Sequence, residues 1–268
     1  MKASISAWSY RAFLEKNKMD MLQFVDEVKR LKADGLEIFP FYVDKKDPGR
    51  HLKEIAKKAK KLRLGISSVI ACNDFAGSNA PYRAEQIERM KQWITWTAEA
   101  GISRMNTFTG WHTPGADPFM EAARVIDAYR EVCPLAEKLK VLLCIENHSS
   151  VNPDCDGILA MIRAVGSPAL KTNPDPTNFI DDYAVRPQES INALYALTER
   201  FSPLMANAHL KVAEFNADGE HTYVSVRQII EIWKNVGFDG HIVLEVARDA
   251  ERAPEICAQG LKLLRKYF

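Results

Sequence analysis

Short apolar runs of four to seven residues alternate along the chain with longer stretches whose apolar positions recur every three to four residues. The short runs predict β-strands and the long stretches predict amphipathic helices. Strands are predicted over residues 2–8, 35–39, 65–71, 104–108, 141–145, 170–173, 205–210 and 241–245. Helices are predicted over 20–33, 50–62, 83–100, 119–138, 156–165, 187–199, 226–235 and 254–266. The stretch FVDEVKRLKADGLEIF shows the repeating unit. Phe24, Val25, Val28 and Leu31 fall on one helical stripe. Gly35 reads as the residue that closes the helix before the next strand. Gly101 in WTAEAGISRMNTF and Gly237 in IWKNVGFDGHIVLEV repeat the arrangement. Eight alternating strand–helix units without a long linker predict a single-domain (β/α)8 TIM barrel over residues 1–268. An open doubly wound sheet would usually show a glycine-rich turn after an early strand, and no GxGxxG occurs.

Composition narrows the class. Hydrophobic residues make up 47% of the 268, enough for a sizeable core. With 36 basic and 35 acidic residues the formal charge is +1, which gives no electrostatic reason to expect nucleic acid or an anionic membrane. Cysteines at 72, 133, 144, 155 and 257 are odd in number and form no CxxC, so neither a disulfide framework nor a zinc knuckle is expected. Free thiols suit a reducing cytoplasm, which is the expected location. The N-terminal MKASISAWSYRAF is too polar for a signal-peptide core. No apolar run approaches the roughly 20 residues of a transmembrane helix. The sequence leaves open whether the chain forms a homo-oligomer.

In a barrel, chemistry gathers at the C-terminal ends of the strands. KVLLCIENHSS carries strand five to Glu146, with His148 two residues on. LKTNPDPTNF carries strand six to Asp175, LMANAHLKV places His209 near the end of strand seven, and HIVLEV ends strand eight on Glu245. Each residue alone has an ordinary structural reading: a solvated carboxylate, a turn aspartate, a core histidine. Together they would place three carboxylates at one partly buried rim, where unpaired charge costs several kcal/mol. A divalent cation removes that penalty. Carboxylate oxygens with one imidazole suit Mn²⁺, Mg²⁺, Co²⁺ or Zn²⁺.

Several other residues are candidates for holding a substrate. Lys211 shares a strand face with His209, and His148 shares one with Glu146. Trp8 ends strand one and Trp111 follows strand four, where aromatic rings can stack on sugars. Arg248, just past Glu245, could meet an anionic group. The loop CNDFAG after strand three is placed to cover the site. No GxSxG motif occurs, and Cys144 reads as a core thiol rather than a nucleophile.

The motifs GLEIF, ENH, AVGSPALKTNPDPTNF, HLK and GFDGHIVLEV, in this order and spacing, resemble the xylose isomerase-like (β/α)8 superfamily, in its branch of sugar-phosphate isomerases and epimerases. The resemblance spans almost the whole chain. It implies one metal ion, Mn²⁺ first among the candidates, held by Glu146, Asp175, His209 and Glu245. It also implies that Glu146 and Glu245 double as proton-transfer groups. That dual role suits removal of a proton alpha to a carbonyl through a cis-enediolate, with a carboxylate on each face of the sugar. The chain departs from the ketose 3-epimerases at Asn178, Phe215 and Asn152, where those enzymes often carry His, Arg and Glu. Many members also have Asp where Val212 stands. Asn178 therefore joins the substrate-binding candidates. The expected activity is a metal-dependent isomerase or epimerase of a small sugar or sugar derivative. A dehydratase of a keto-inositol or related polyol on the same metal site is the alternative. An apurinic-type endonuclease would need more histidines than the six present and a basic excess. A non-enzymatic barrel would not need the four-residue rim.

Overall fold

The computed structural model describes residues 1–148, 155–179 and 188–268. Its elements are β1 (Lys2–Ser6), α1 (Arg11–Leu14), α2 (Met21–Arg30), β2 (Gly35–Ile38), α3 (Pro48–Lys61), β3 (Gly65–Ile70), α4 (Ala80–Glu99), β4 (Arg104–Thr107) and α5 (Pro118–Leu139). There follow β5 (Leu142–Glu146), α6 (Cys155–Val165), β6 (Leu170–Asn173), α7 (Gln188–Phe201), β7 (Ala208–Val212), α8 (Val226–Asn235), β8 (His241–Val246) and α9 (Ala253–Tyr267). This is the expected (β/α)8 barrel. Each strand contributes an apolar outer face to a layer of helices. Phe24, Val25 and Val28 of α2 and Trp233 of α8 are fully buried there.

The strands are parallel and ordered β6-β5-β4-β3-β2-β1-β8-β7. Register sets the functional rim: Ser6 lies opposite Glu37, Glu146 opposite Asn173 and Lys211 opposite Glu245. Among the described residues, the β6–β7 seam has no extended ladder. It closes through a single parallel bridge, Thr172 to Met205, and two backbone bonds, Ala206 N–H to Thr172 O (3.1 Å) and His209 N–H to Pro174 O (3.0 Å).

Several boundaries differ from the sequence expectation. Strand one stops at Ser6 because its hydroxyl accepts from Trp8 N–H and turns the chain into a 3-10 helix, Ala7–Tyr10. Strand seven starts at Ala208 rather than 205, since Ser202–Leu204 form a 3-10 turn and pairing with β8 begins at Ala208. Helices α3, α4 and α5 begin before the first apolar position. Asp47, Asn79 and Asp117 accept from amides in the first turn, and each helix has Pro in its first two positions. The predicted start of α7 at Pro187 lies outside the described residues.

Gly35 does not close α2. The left-handed residue there is Lys32 (φ 59°), whereas Gly101 and Gly237 (both φ 74°) do take the expected conformation. Gly35 and Gly65 instead make room for the His241 ring at the opposite end of the barrel from the functional rim. A Cβ on either would approach His241 Cε1 to 2.9 and 2.8 Å respectively. His241 Nδ1 is 2.6 Å from Ser4 Oγ. Burial lowers its pKa to about 4.

Candidate metal centre and its pocket

Two residues of β7 point into the barrel mouth, as period-two alternation requires: His209 and Lys211. Glu146 is the last residue of β5 and is 2% exposed. Asp175 lies two residues past β6, where its backbone and the Asn147 amide group bond each other reciprocally at 2.9 Å. Thr177 N–H and Oγ1 donate to Asp175 Oδ1 at 3.1 and 2.6 Å. One carboxylate oxygen thus makes the local turn and leaves Oδ2 for the centre. Ligand atoms of Glu146, Asp175 and His209 lie within 4.8 Å of one another.

The imidazole is oriented from below. Its Nε2 is 2.9 Å from Oε1 of the fully buried Glu37, which also accepts from Ser68 Oγ at 2.6 Å. Its Nδ1 is buried with no hydrogen-bond partner, 3.5 Å from Glu146 Oε2 and 3.7 Å from Glu245 Oε2. Glu146 is itself fixed: Asn106 Nδ2 donates to Oε2 at 2.6 Å and Asn178 Nδ2 to Oε1 at 3.0 Å. A buried, orphaned nitrogen aimed at two carboxylates is the geometry a metal ligand needs, with Glu37 as the partner that sets its ring orientation. The donor set therefore fits a divalent ion.

Lys211 adds a cation that a simple four-ligand scheme lacks. Its Nζ is 2.7 Å from Asp175 Oδ2, 3.6 Å from Glu245 Oε1 and 3.8 Å from Glu146 Oε1, and donates to Asn178 Oδ1 at 2.7 Å. Burial works against every charge here. The neighbouring charges of His209 and Lys211 nonetheless hold Glu146 low, and Lys211 holds Asp175 low. Burial acts to lower His209, but Glu37, Glu146 and Glu245 raise it to about 10. Lys211 is likewise raised, by Asp175 and both glutamates against its burial. Glu245 alone among the three carboxylates is raised, chiefly by desolvation.

Above these groups opens a pocket of about 310 Å³. Glu146, Glu245 and His148 supply its polar lining. The rest is apolar, with Trp8, Phe39, Phe41, Phe108 and Trp111 as its rings. Of the residues expected to contact substrate, Trp8, Trp111 and His148 line this pocket. Lys211 and Asn178 belong to the polar floor. Arg248 stands exposed in the loop after β8, outside the pocket lining. Cys144 is buried and its thiol is pushed up to about 12 by burial, as a core thiol should be. Asn152 lies outside the described residues. Sequence reasoning missed Asn106 and Asn147, and met Glu37 only within a motif. A buried polar residue inside an apolar run was the available signal for the first and last. The phenylalanines read as ordinary strand apolar positions.

The model of the xylose isomerase-like TIM barrel family matches residues 25–267, and the chain belongs to that family. Solved structures similar to it include a D-psicose 3-epimerase in the presence of D-fructose (TM-score 0.76, 15% identity, covering 100% of this chain and 99% of that one). Another is the 3-keto-D-glucoside 4-epimerase of E. coli (TM-score 0.77, 15% identity, 99% of each chain). A third is the IOLI protein with a bound zinc atom (TM-score 0.75, 14% identity, 100% and 99%). No curated protein matches the sequence. Among the described residues, no helix is long and apolar enough to cross a membrane.

Proposed function

We propose that the protein is a divalent-metal-dependent isomerase or epimerase of a small sugar or sugar derivative. The observation that carries this reading is the convergence of Glu146, Asp175, Glu245 and the orphaned Nδ1 of buried His209 on one rim, beneath a ring-lined pocket. Glu146, Asp175, His209 and Glu245 would hold the ion, with Mn²⁺ the first choice and Mg²⁺, Co²⁺ or Zn²⁺ as alternatives. Such an ion, when bound, polarises a carbonyl and its neighbouring hydroxyl. The relatives named above support a carbohydrate substrate by analogy.

The protein's own residues would divide the remaining work. Glu146 and Glu245 lie on strands three apart and both line the pocket, so they can address opposite faces of a bound sugar. One takes the proton alpha to the carbonyl, and the other, in its protonated form, delivers a proton to the opposite face of the planar carbon. Asn106 and Asn178 keep the Glu146 carboxylate from rotating. His148 and Lys211 bind substrate oxygens, Trp8 stacks on the apolar face of the ring, and Trp111 closes the outer end of the pocket.

Lys211 favours one second reading. An ammonium beside the carboxylates could protonate a departing hydroxyl, which would make the protein a dehydratase of a cyclic keto-polyol. The experiment is a panel of ketoses, aldoses and keto-inositols incubated in D₂O with and without Mn²⁺ and followed by NMR. Metal-dependent deuterium incorporation with an isomeric product supports the isomerase. Loss of water from the product selects the dehydratase. No exchange on any member refutes both.

A further inference from the structure

The rings of the pocket reach well beyond the carboxylates. On one side Trp8, Phe39 and Phe41 form a series with centroids 5.0 and 5.1 Å apart. On the other side of Ile70, the last residue of β3, and Cys72 just past it, Phe108 and Trp111 flank His148 at 5.5 and 6.1 Å. The outermost members, Phe41 and Trp111, are 62% and 51% exposed.

Both walls are braced. Arg11 stacks on the Trp8 ring at 5.2 Å and donates to the carbonyls of Trp8, Val246 and Ala247. Asn73 exchanges two hydrogen bonds with the backbone of Phe108, and Asp74 Oδ1 accepts from Trp111 N–H at 3.2 Å. Gly110 sits at φ 121°, where a Cβ would collide with Asp74 Oδ1. Fully buried Glu121 ties down the following loop through His112 Nδ1 (2.7 Å) and Thr113 N–H (2.8 Å). Large rings held in place yet open to water lose apolar burial that only a ligand or partner can restore.

We infer that the outer half of this pocket is a subsite for a second ring, a flat apolar or aryl group carried by the reacting sugar as its aglycone, the reacting carbonyl then lying on a ring carbon other than the anomeric one. This rests on the carbohydrate reading above. A sugar whose reacting carbon sits between Glu146 and Glu245 meets the inner lining, with His148 at its edge. Phe41 and Trp111, the most exposed rings of the lining, then stand beyond it, free to take a further planar group against their faces. The pocket volume of about 310 Å³ falls at the lower end of the ~300–1,000 Å³ that enclose larger organic ligands.

The test titrates the Mn²⁺-loaded full chain with phenyl and methyl glycosides of glucose, galactose and mannose, read by calorimetry. The phenyl glycoside of the preferred sugar should bind about tenfold or more tighter than its methyl counterpart, the gain from moving one aromatic ring out of water onto others. In Phe41→Ala and Trp111→Ala that ratio should fall towards one. Equal affinity of phenyl and methyl glycosides overturns the subsite while leaving the carbohydrate reading intact. If no glycoside binds to the metal-loaded protein, the aglycone subsite is overturned, while the carbohydrate reading is decided separately by the ketose, aldose and keto-inositol panel. If the ratio survives both substitutions while light scattering shows a changed oligomeric state, the exposed rings are an interface and the inference is wrong.

Discussion

Lys211→Met isolates the most unusual feature of the centre. The substitution keeps most of the side chain's length and apolar stem and deletes its charge. Lys211 Nζ is 2.7 Å from Asp175, 3.6 Å from Glu245 and 3.8 Å from Glu146. At an effective dielectric near 20, the shortest contact alone represents about 6 kcal/mol of attraction. Desolvation offsets much of it, and removing one partner of a buried ion pair costs a net ~3–5 kcal/mol. For a chain of this size each kcal/mol moves Tm by roughly 2 °C or more, so the metal-free variant should melt about 6–10 °C below the parent. A divalent ion entering the same carboxylates meets an ammonium already in place. Deleting it should tighten metal binding about tenfold or more, equivalent to ~1.4 kcal/mol. Metal should then recover most of the lost Tm. The assay is calorimetric melting and Mn²⁺ titration of both proteins after chelation. An unchanged metal-free Tm together with an unchanged metal affinity would refute the idea that Lys211 holds the carboxylates together.

Glu146→Gln keeps an oxygen ligand but removes a base, so turnover should fall by roughly 10²–10⁴-fold and stay low at saturating metal. His209→Asn, by contrast, should lose mainly metal affinity and recover activity when Mn²⁺ is raised. Recovery of Glu146→Gln under the same titration would reduce that residue to a ligand. At the other end of the barrel, the folded state holds His241 near 4 against a reference value of 6.5. Between those values the unfolded chain binds the extra proton, so stability falls as pH drops from 6.5 towards 4, by about 1.4 kcal/mol per unit. His241→Asn should lack this component. Its stability difference from the parent, measured by urea unfolding, should shift by about 2 kcal/mol in its favour between pH 7 and pH 5. Parallel pH profiles for the two proteins would count against it.

The barrel was legible because both of its periodicities are local. Val141–Ile145 and the stripe of Phe24, Val25 and Val28 announce strand and helix without reference to distant residues. The convergence of Glu146, Asp175, His209 and Glu245 on one rim was legible for a related reason: a parallel barrel sends every strand end to one rim, so position along the chain becomes position in space. What escaped depends on neighbours far away in sequence. Gly35 looked like a helix terminator, and only the ring of His241 explains its missing side chain. Nothing in HLK says that Lys211 reaches across to Asp175, 36 residues earlier. The aromatic walls were half seen. Trp8 and Trp111 stood out as tryptophans at strand ends, while Phe39, Phe41 and Phe108 were indistinguishable from core positions until the loops had been placed.

Among the described residues, seven joints of the cylinder are paired strand to strand, and the β6–β7 joint is pinned only by an isolated bridge and two backbone bonds. The Lys211–Asp175 ion pair spans that same joint, from β7 to the residue beyond β6. This charged pair therefore acts as the clasp of a hoop. The hoop's least costly local opening lies at this clasp, where backbone pairing is thinnest. Slow-exchanging amides should be densest on β1 and β8 and sparsest on β6. Whatever cation sits among the carboxylates sets how far the hoop can spread, so exchange protection along β6 and β7 reports the ionic state of the centre from a distance. The charge balance of the rim and the mechanical compliance of the barrel are one property here, and a substitution at the rim alters both at once.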